Sequence, residues 1–551
     1  MITHKWWKEG IIYQIYPQSF YDSNGDGIGD LQGIIRKLDY IKSLGVDIIW
    51  LNPIYASPLD DNGYDISDYR AINPIYGTMG DFDEMLAEMH KRGLRLLMDL
   101  VVNHSSDEHK WFKESRKSKN NPYRDYYYWR KGKNGGPPNN WPAVFGGSVW
   151  EYDRTTSEYY LHYFSKKQPD LNWENPKVRQ EVIDIIRWWL DKGIDGFRLD
   201  VISMISKDLV FPDATGENFG EMYTRYFCNG PRVHEFIREV HDKSLKDYNV
   251  MTVGEGPAIT KEAGNDYTGQ NRGELNMIFP LDLMSADWGP DGRFDPGITD
   301  RRKIKSFFRE WNEALGDDGW MSVFLDNHDS PRMVSRFGND TTYRTESAKL
   351  LLTLLLTLRG TPSIHYGSEI GMTNASFDSI DQYKDIESLN FYSEAIKNGM
   401  SDHEAIRRIQ ISGRDNVRTP MQWDDRNHGG FTTDTPWLES NPNYKSINVE
   451  MEESDDSGIL SFFRQMVAFR KSHKTLSYGS FTDLDPDHPH VFHYQRKDAD
   501  AQFIIILNMS DHTTSYAINQ AGAHLSICNY TEAGKREELR PWEARIYLTA
   551  I

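Results

Sequence analysis

Cysteine is nearly absent. The 551-residue chain holds only Cys228 and Cys528, far apart, so neither a disulfide framework nor a Cys-rich zinc site is indicated. No apolar run approaches the ~18 residues of a membrane span. The start, MITHKWWKEG, lacks the apolar stretch and small-residue cleavage site of a secretory signal, which makes a cytoplasmic location the default expectation. Positive charge is in deficit: 63 Lys and Arg stand against 82 Asp and Glu, for a net charge of −19. A nucleic-acid partner wants a basic face, and an anionic substrate is disfavoured unless a local basic pocket receives it. Internal repeats and low-complexity tracts are missing too.

What is present is aromatic and patterned. The 16 Trp and 30 Tyr mostly serve a large core, but flat rings also suit sugar faces, whose hydroxyl edges then need polar partners. Eight short apolar runs recur: IIYQIYP (11–17), VDIIWLNP (46–53), LRLLMDLVVNH (94–104), IDGFRLD (194–200), VMTVGE (250–255), LNMIFPLD (275–282), MSVFLDNHD (321–329) and TPSIHYG (361–367). Runs rich in Val and Ile fit buried parallel strands. Helical patterns lie between them. Leu31, Ile34, Ile35, Leu38 and Ile41 share one face and stop at Gly45; Val178, Val182, Ile185, Ile186 and Trp189 repeat the design and end at Gly193.

Alternating strands and helices predict an α/β fold, a (β/α)8 TIM barrel over 1–104 and 177–475. Residues 105–176, rich in Asn, Pro, Gly, Tyr and Trp, are too long for a simple loop and read as a small inserted domain after strand three. Residues 374–450 read as an irregular excursion after strand eight. Beyond a helix near 457–473, the apolar–polar alternation of 476–551 predicts a C-terminal antiparallel β-sandwich.

Ionisable residues gather at the strand ends. Asp200 closes the fourth run, Glu255 the fifth and Asp329 the seventh. The C-terminal rim is where such barrels build active sites. Three carboxylates there suit glycoside hydrolysis, in which one attacks the anomeric carbon and another stays protonated to serve the leaving oxygen. Crowding raises the pKa of one member. Arg198, two residues before Asp200, points to the same side of its strand and can hold Asp200 ionised. A structural ion-pair cluster or a divalent-metal site are the competing readings of the acids alone.

Together the motifs are more specific. DLVVNH (99–104), GFRLDVIS (196–203), VGEGP (253–257) and FLDNHD (324–329), with DNGYDISDY (61–69), QPDLNWENP (168–176) and GRDNVRTPMQW (413–423), resemble the α-amylase superfamily of glycoside hydrolases, and within it the oligo-1,6-glucosidase group. The resemblance spans nearly the whole chain. It implies a retaining exo-acting α-glucosidase with Asp200 as nucleophile, Glu255 as acid/base and Asp329 as the transition-state carboxylate. It places His104 and His328 on the non-reducing glucose and Asp61, Tyr64 and Arg414 at the closed end of the pocket. A short oligosaccharide is the implied partner, with no organic cofactor and a monomer or homodimer as the assembly. Val201, beside the nucleophile, resembles the mark of α-1,6 preference in this group, against plain rim packing. Gly256 stands where the group suggests Met or Ala.

Four alternatives remain. A sucrose isomerase is similar, but its Arg-Leu-Asp-Arg-Asp loop after strand six is replaced by PLDLMSADWGPDGRF. An α-1,4-glucosidase differs in linkage alone. A trehalose-6-phosphate hydrolase needs a cationic phosphate clamp that the sequence does not reveal. An inactive amylase-like binding module usually loses the carboxylates, which are kept here.

One motif lies outside this chemistry. In YDSNGDGIGD (21–30), Asp22, Asn24, Asp26 and Asp30 offer oxygens at alternate positions, the Ile28 carbonyl fills the gap, and Gly27 permits the turn. Gly33 replaces the bidentate Glu of an EF-hand. The resemblance also implies a structural Ca2+ here; an unligated Asx-rich turn is the alternative.

Overall fold

A computed structural model describes residues 4–517, 523–532 and 534–550. Those parts of the expected barrel and C-terminal units that fall at 1–3, 518–522, 533 and 551 lie outside the described residues. Eight strands form one parallel sheet: β1 Ile12–Ile15, β2 Ile48–Leu51, β3 Arg95–Leu100, β4 Gly196–Leu199, β5 Met251–Gly256, β6 Met277–Pro280, β7 Ser322–Val323 and β8 Thr361–His365. Their spatial order is β6-β5-β4-β3-β2-β1-β8-β7. A parallel bridge between Ile278 and Met321 brings β6 to β7 and closes the ring. All eight apolar runs of the sequence became barrel strands.

The ring is lined inside by large side chains, among them Ile48, Trp50, Leu97, Val253, Phe279 and Phe324. It is a packed core, as expected of this architecture. Helices α1 Leu31–Ser43, α2 Met79–Lys91, α3 Pro176–Asp191, α4 Val233–Val240, α5 Gly264–Thr268, α6 Arg301–Leu315, α7 Arg344–Thr357 and α8 Ile459–Ser472 follow the strands in turn. Helix starts follow ordinary capping chemistry. Asp30 accepts from the Gly33 N–H at α1, Thr78 and Asp81 form a capping box at α2, and Asn175 caps α3 with Pro176 at its first position.

Between β3 and α3 the inserted segment folds a three-stranded antiparallel sheet from Trp129–Arg130, Glu158–Leu161 and Trp150–Asp153. Its aromatic core includes Tyr128, Trp141, Trp150 and Tyr163. The stretch 374–450 is more ordered than its sequence suggests. Helices Ile386–Lys397 and Asp402–Ser412 form there, each begun by a side-chain cap, Asp385 and Ser401. Their apolar faces are small, with Ala395, Ile406 and Ile409 buried, so hydrophobic periodicity gave little sign of them.

The C-terminal strands β9 Ser480–Asp483, β10 Val491–Lys497, β11 Ala501–Asn508, β12 His524–Cys528 and β13 Ala544–Ala550 make an antiparallel sheet in the order β9-β10-β11-β13-β12. It packs on α7, whose sequence RTESAKLLLTLLLT is buried nearly all round. A helix apolar on every side needs cover on every side. Two buried arginines fasten the layers. Arg496 on β10 donates to the carbonyls of Thr357 (2.6 Å), Leu476 (2.6 Å) and Gly479 (2.7 Å). Arg470 on α8 donates to Leu356 (2.9 Å), Leu358 (3.1 Å) and Gly360 (2.6 Å). These carbonyls include the orphan acceptors at the end of α7. Replacing Arg496 by Met strands several buried acceptors and is expected to cost about 3–5 kcal/mol. Urea unfolding checks this, with activity per folded molecule unchanged.

Candidate active site

The strand ends converge on one guanidinium. Arg198, 1% exposed, bonds Asp99 on β3 at 2.7 Å and Asp200 at 2.6 Å through Nη1, and Glu255 on β5 at 2.7 Å through Nη2. The register makes this meeting: Arg198 lies beside Asp99 on one neighbouring strand and Val253 on the other, and Asp200 follows two residues later on the same side. Val201 N–H donates to Glu255 Oε2 at 3.0 Å. Burial pushes the Asp200 carboxyl well above the usual carboxylate range; Arg198 opposes the shift, while Glu255 and Asp99 add to it. An excess of acids over the one cation favours the protonated form of Asp200 in this arrangement.

A second cluster faces the first. Asp329 accepts from His328 Nε2 at 3.1 Å, Arg414 at 3.2 Å and Arg418 at 2.9 Å. Burial alone would raise its pKa, but His328 and the two arginines hold it well below the usual range. Gln14 Nε2 lies 2.9 Å from His328 Nδ1. An amide donor on that nitrogen leaves the Nε2 proton for Asp329. Arg414 also bonds Asp385 at 2.5 Å and Asp61 at 3.4 Å. Asp385 is drawn down to about 2, with Arg414 and Arg418 overcoming its burial.

Tyr64 stacks on His328, ring centroids 5.2 Å apart and 6° from parallel, and its hydroxyl donates to Asp99 at 2.8 Å. His104 donates from Nε2 to the Tyr64 carbonyl at 3.0 Å, and burial lowers its pKa, so it is a neutral donor. Asp61 is fixed by Gln168 at 3.1 Å. Phe145 covers the Arg414 guanidinium at 5.0 Å and packs on Phe164, which reaches His104. Asp61, Tyr64, His104, Arg198, Asp200, Glu255, His328, Asp329 and Arg414 therefore share one site, closed on the Asp61–Arg414 side.

The QPDLNW motif has a structural reading as well. Gln168 orients Asp61, while Asp170 and Lys207 form a buried pair at 2.7 Å that joins the inserted segment to the loop after β4. Val201 is the unusual backbone position: φ is 35° and ψ 43°, a left-handed conformation that a β-branched residue rarely adopts. Gly256 has no such demand. A Cβ there would meet Ile259 Cδ1 at 2.6 Å, so packing against that side chain accounts for the small residue.

Several partners escaped the sequence reading. Asp99 was visible as an acid inside an apolar run, and Arg418 lies within the quoted GRDNVRTPMQW. Gln14, Asn52, Asp385 and Glu387 carried no comparable signal. Arg293, on the hairpin after β6, pairs with Glu387 at 2.5 Å and donates to the Asp329 carbonyl at 3.0 Å.

The Asp22–Asp30 loop lies apart from this chemistry. Its donors are all oxygens, which suits a hard cation, and Gly27 at φ 88° lies so close to the Thr435 carbonyl that a Cβ would stand 2.1 Å from it. The Asp22 carboxylate accepts from Gly25 and Gly27 N–H, and Asp30 from Ser23 and Gly33 N–H. Among the described residues no group of three His, Cys, Asp or Glu side chains is arranged to grip an ion. The donor chemistry fits the cation; the aspartates face the turn's own N–H groups.

Comparison with known proteins gives the same family. The alpha-amylase catalytic-domain model matches residues 14–479. An oligo-1,6-glucosidase from Parageobacillus thermoglucosidasius is 53% identical over 98% of both chains, and one from Halalkalibacterium halodurans is 52% identical over 99% of both. The crystal structure of a trehalulose synthase from Pseudomonas mesoacidophila superposes with a TM-score of 0.95 at 44% identity, covering 99% of this chain and all of that one. The chain belongs to the alpha-amylase catalytic-domain family of glycoside hydrolases.

Proposed function

We propose that the protein is a retaining exo-α-glucosidase that releases glucose from the non-reducing end of short α-1,6-linked glucosides. The observation that carries the reading is the sharing of Arg198 by Asp200 and Glu255 at the ends of adjacent strands. Oxygens held by the two terminal nitrogens of one guanidinium cannot stand far apart, which suits the about 5 Å pairing of retaining enzymes. Asp200 attacks the anomeric carbon as the glycosidic bond breaks, and Glu255 gives its proton to the leaving oxygen. Glu255 then takes a proton from water, which attacks the same carbon and frees Asp200. Asp329, held ionised, bonds the sugar hydroxyls and favours the distorted transition state. His104, His328, Tyr64, Asp61 and Arg414 bind the terminal glucose. The wall they form stops longer chains from threading through and supports exo action. No organic cofactor enters these steps.

The α-1,6 preference rests on the two oligo-1,6-glucosidase relatives and on Val201. The sucrose-isomerase reading is favoured by the structural neighbours. Against it, the loop after β6 reads PLDLMSADWGPDGRF and lacks the Arg-Leu-Asp-Arg-Asp sequence of the isomerase resemblance. A reducing, cytoplasmic setting suits the two free thiols. The Asp22–Asp30 loop is proposed as a structural Ca2+ site, supported by its oxygen donors and its Gly27 turn.

Three outcomes test these assignments. Glu255→Gln should slow isomaltose hydrolysis roughly 10²–10⁴-fold and slow glucosyl-enzyme formation from a dinitrophenyl α-glucoside far less, because that leaving group needs no proton. Asp200→Ala should abolish both; equal losses for Glu255→Gln on the two substrates would remove it as the acid. On a panel of isomaltose, panose, maltose, sucrose and trehalose 6-phosphate, the α-1,6 substrates should lead. Val201→Thr should move the isomaltose-to-maltose ratio toward maltose by up to about tenfold; isomaltulose or trehalulose made from sucrose would place the protein with the isomerases. A chelator should lower the melting temperature more than it lowers the activity of folded enzyme, and an unmoved melting temperature would favour the unligated turn.

A further inference from the structure

The opposite end of the barrel holds a second cavity. It measures about 790 Å³ and lies at the N-terminal ends of β5 to β8, lined by Lys5, Lys8, Lys246, Trp320 and Arg359 among others. In a chain of net charge −19, four cations meet there. None of the four makes an ion pair or donates a side-chain hydrogen bond among the described residues.

Arg359 is the exceptional member. It is 7% exposed, and its guanidinium lies against Trp320 with Cζ 4.8 Å from the ring centroid. Lys8 Nζ lies 4.4 Å from the same ring. Every other buried arginine donates to carboxylates or carbonyls: Arg124, Arg198, Arg332, Arg414, Arg418, Arg470, Arg496 and Arg545. The Arg359 guanidinium faces the cavity and meets no protein acceptor among the described residues, and the indole face offsets only part of the cost of its burial.

The acids in the wall do not supply the missing acceptor. Glu274 is taken by His234, Arg238 and Arg272, and Asp318 accepts from the Gln270 N–H at 3.0 Å. Asp317 forms no ion pair with any of the four. Burial, with Arg359 and Lys5 as like charges, lowers Lys8 to about 8, and the nearby Asp317 and Asp318 offset only part of that shift.

We propose that this cavity binds a small phosphate-bearing anion between Lys8 and Arg359. Phosphate offers the acceptors that both cations lack, and the volume falls within the usual range for small-molecule sites. Inorganic phosphate and a phosphate ester share this chemistry and are separated by experiment.

Thermal shift and calorimetry on the full chain use inorganic phosphate, pyrophosphate and glucose 6-phosphate, with sodium chloride at matched ionic strength as control. At least one of the three should raise the melting temperature above the control in a saturable way. Lys8→Gln and Arg359→Gln should each weaken that binding roughly tenfold or more and leave isomaltose hydrolysis unchanged. Tighter binding of glucose 6-phosphate than of phosphate identifies an ester as the ligand. Should Arg359→Gln fail to fold, Lys8→Gln decides alone, since Lys8 lies nearer the rim. No shift beyond the salt control overturns the proposal. So does a shift that persists in Lys8→Gln, which would put the anion elsewhere, including the active site.

Discussion

The site depends on one buried guanidinium with too many partners. Among the described residues Arg198 is the sole cation paired with Asp99, Asp200 and Glu255. Removed from it, the three carboxylates would repel one another and take up protons. With it they stay together, and Asp200 is still pushed toward its protonated form. That imbalance is useful. Acid catalysis needs a carboxyl that keeps its proton at neutral pH while its neighbour attacks as an anion. A cluster of three acids and one cation has that composition built in. Asp99 does not reach the rim itself, but it occupies part of the guanidinium and so sets how much charge is left for the other two.

The facing cluster is richer in cations. Asp329, Asp385 and Asp61 meet Arg414, Arg418 and, at Asp329, His328. Two arginines serve three aspartates there, against one for three at the first cluster, and both Asp329 and Asp385 are pulled down. The two clusters push their carboxylates apart in pKa by charge count more than by differences in burial. Asp329 is thereby fixed as a permanent anion on the sugar side. The transferable proton is left to the Arg198 cluster. This difference in cation supply supports the roles proposed for the three carboxylates.

The legible part of this chain was what obeys a period or sits at a strand end. All eight barrel strands were visible as short apolar runs, and Asp200, Glu255 and Asp329 as acids that end them. Arg198 could be read because the two-residue repeat of a strand puts it beside Asp200. Asp385 and Glu387 could not, because the helix Ile386–Lys397 carries a weak apolar face and reaches the site only through tertiary packing. Gln14 was hidden for another reason. A single amide in an apolar strand looks like a blemish until His328, Asn52 and His365 are seen around it. The nine site residues read from the sequence do meet, but their supporting shell belongs to contacts distant in sequence.

Val201 shows how the inserted segment enters the chemistry. A β-branched residue at φ 35° is strained and persists only where its surroundings over-determine it. Here they do so from both sides. Its N–H holds Glu255, and its side chain packs in the aromatic core that includes Tyr128, Trp141 and Phe227. Val201 therefore ties Glu255 to the inserted segment. A change in how that segment packs would be felt at Glu255 through one peptide group. In this light the Asp170–Lys207 pair has more than a local purpose. Buried between the inserted segment and the loop that follows Val201, it holds the two pieces in the one relation that keeps the strained turn, and with it the acid, in place.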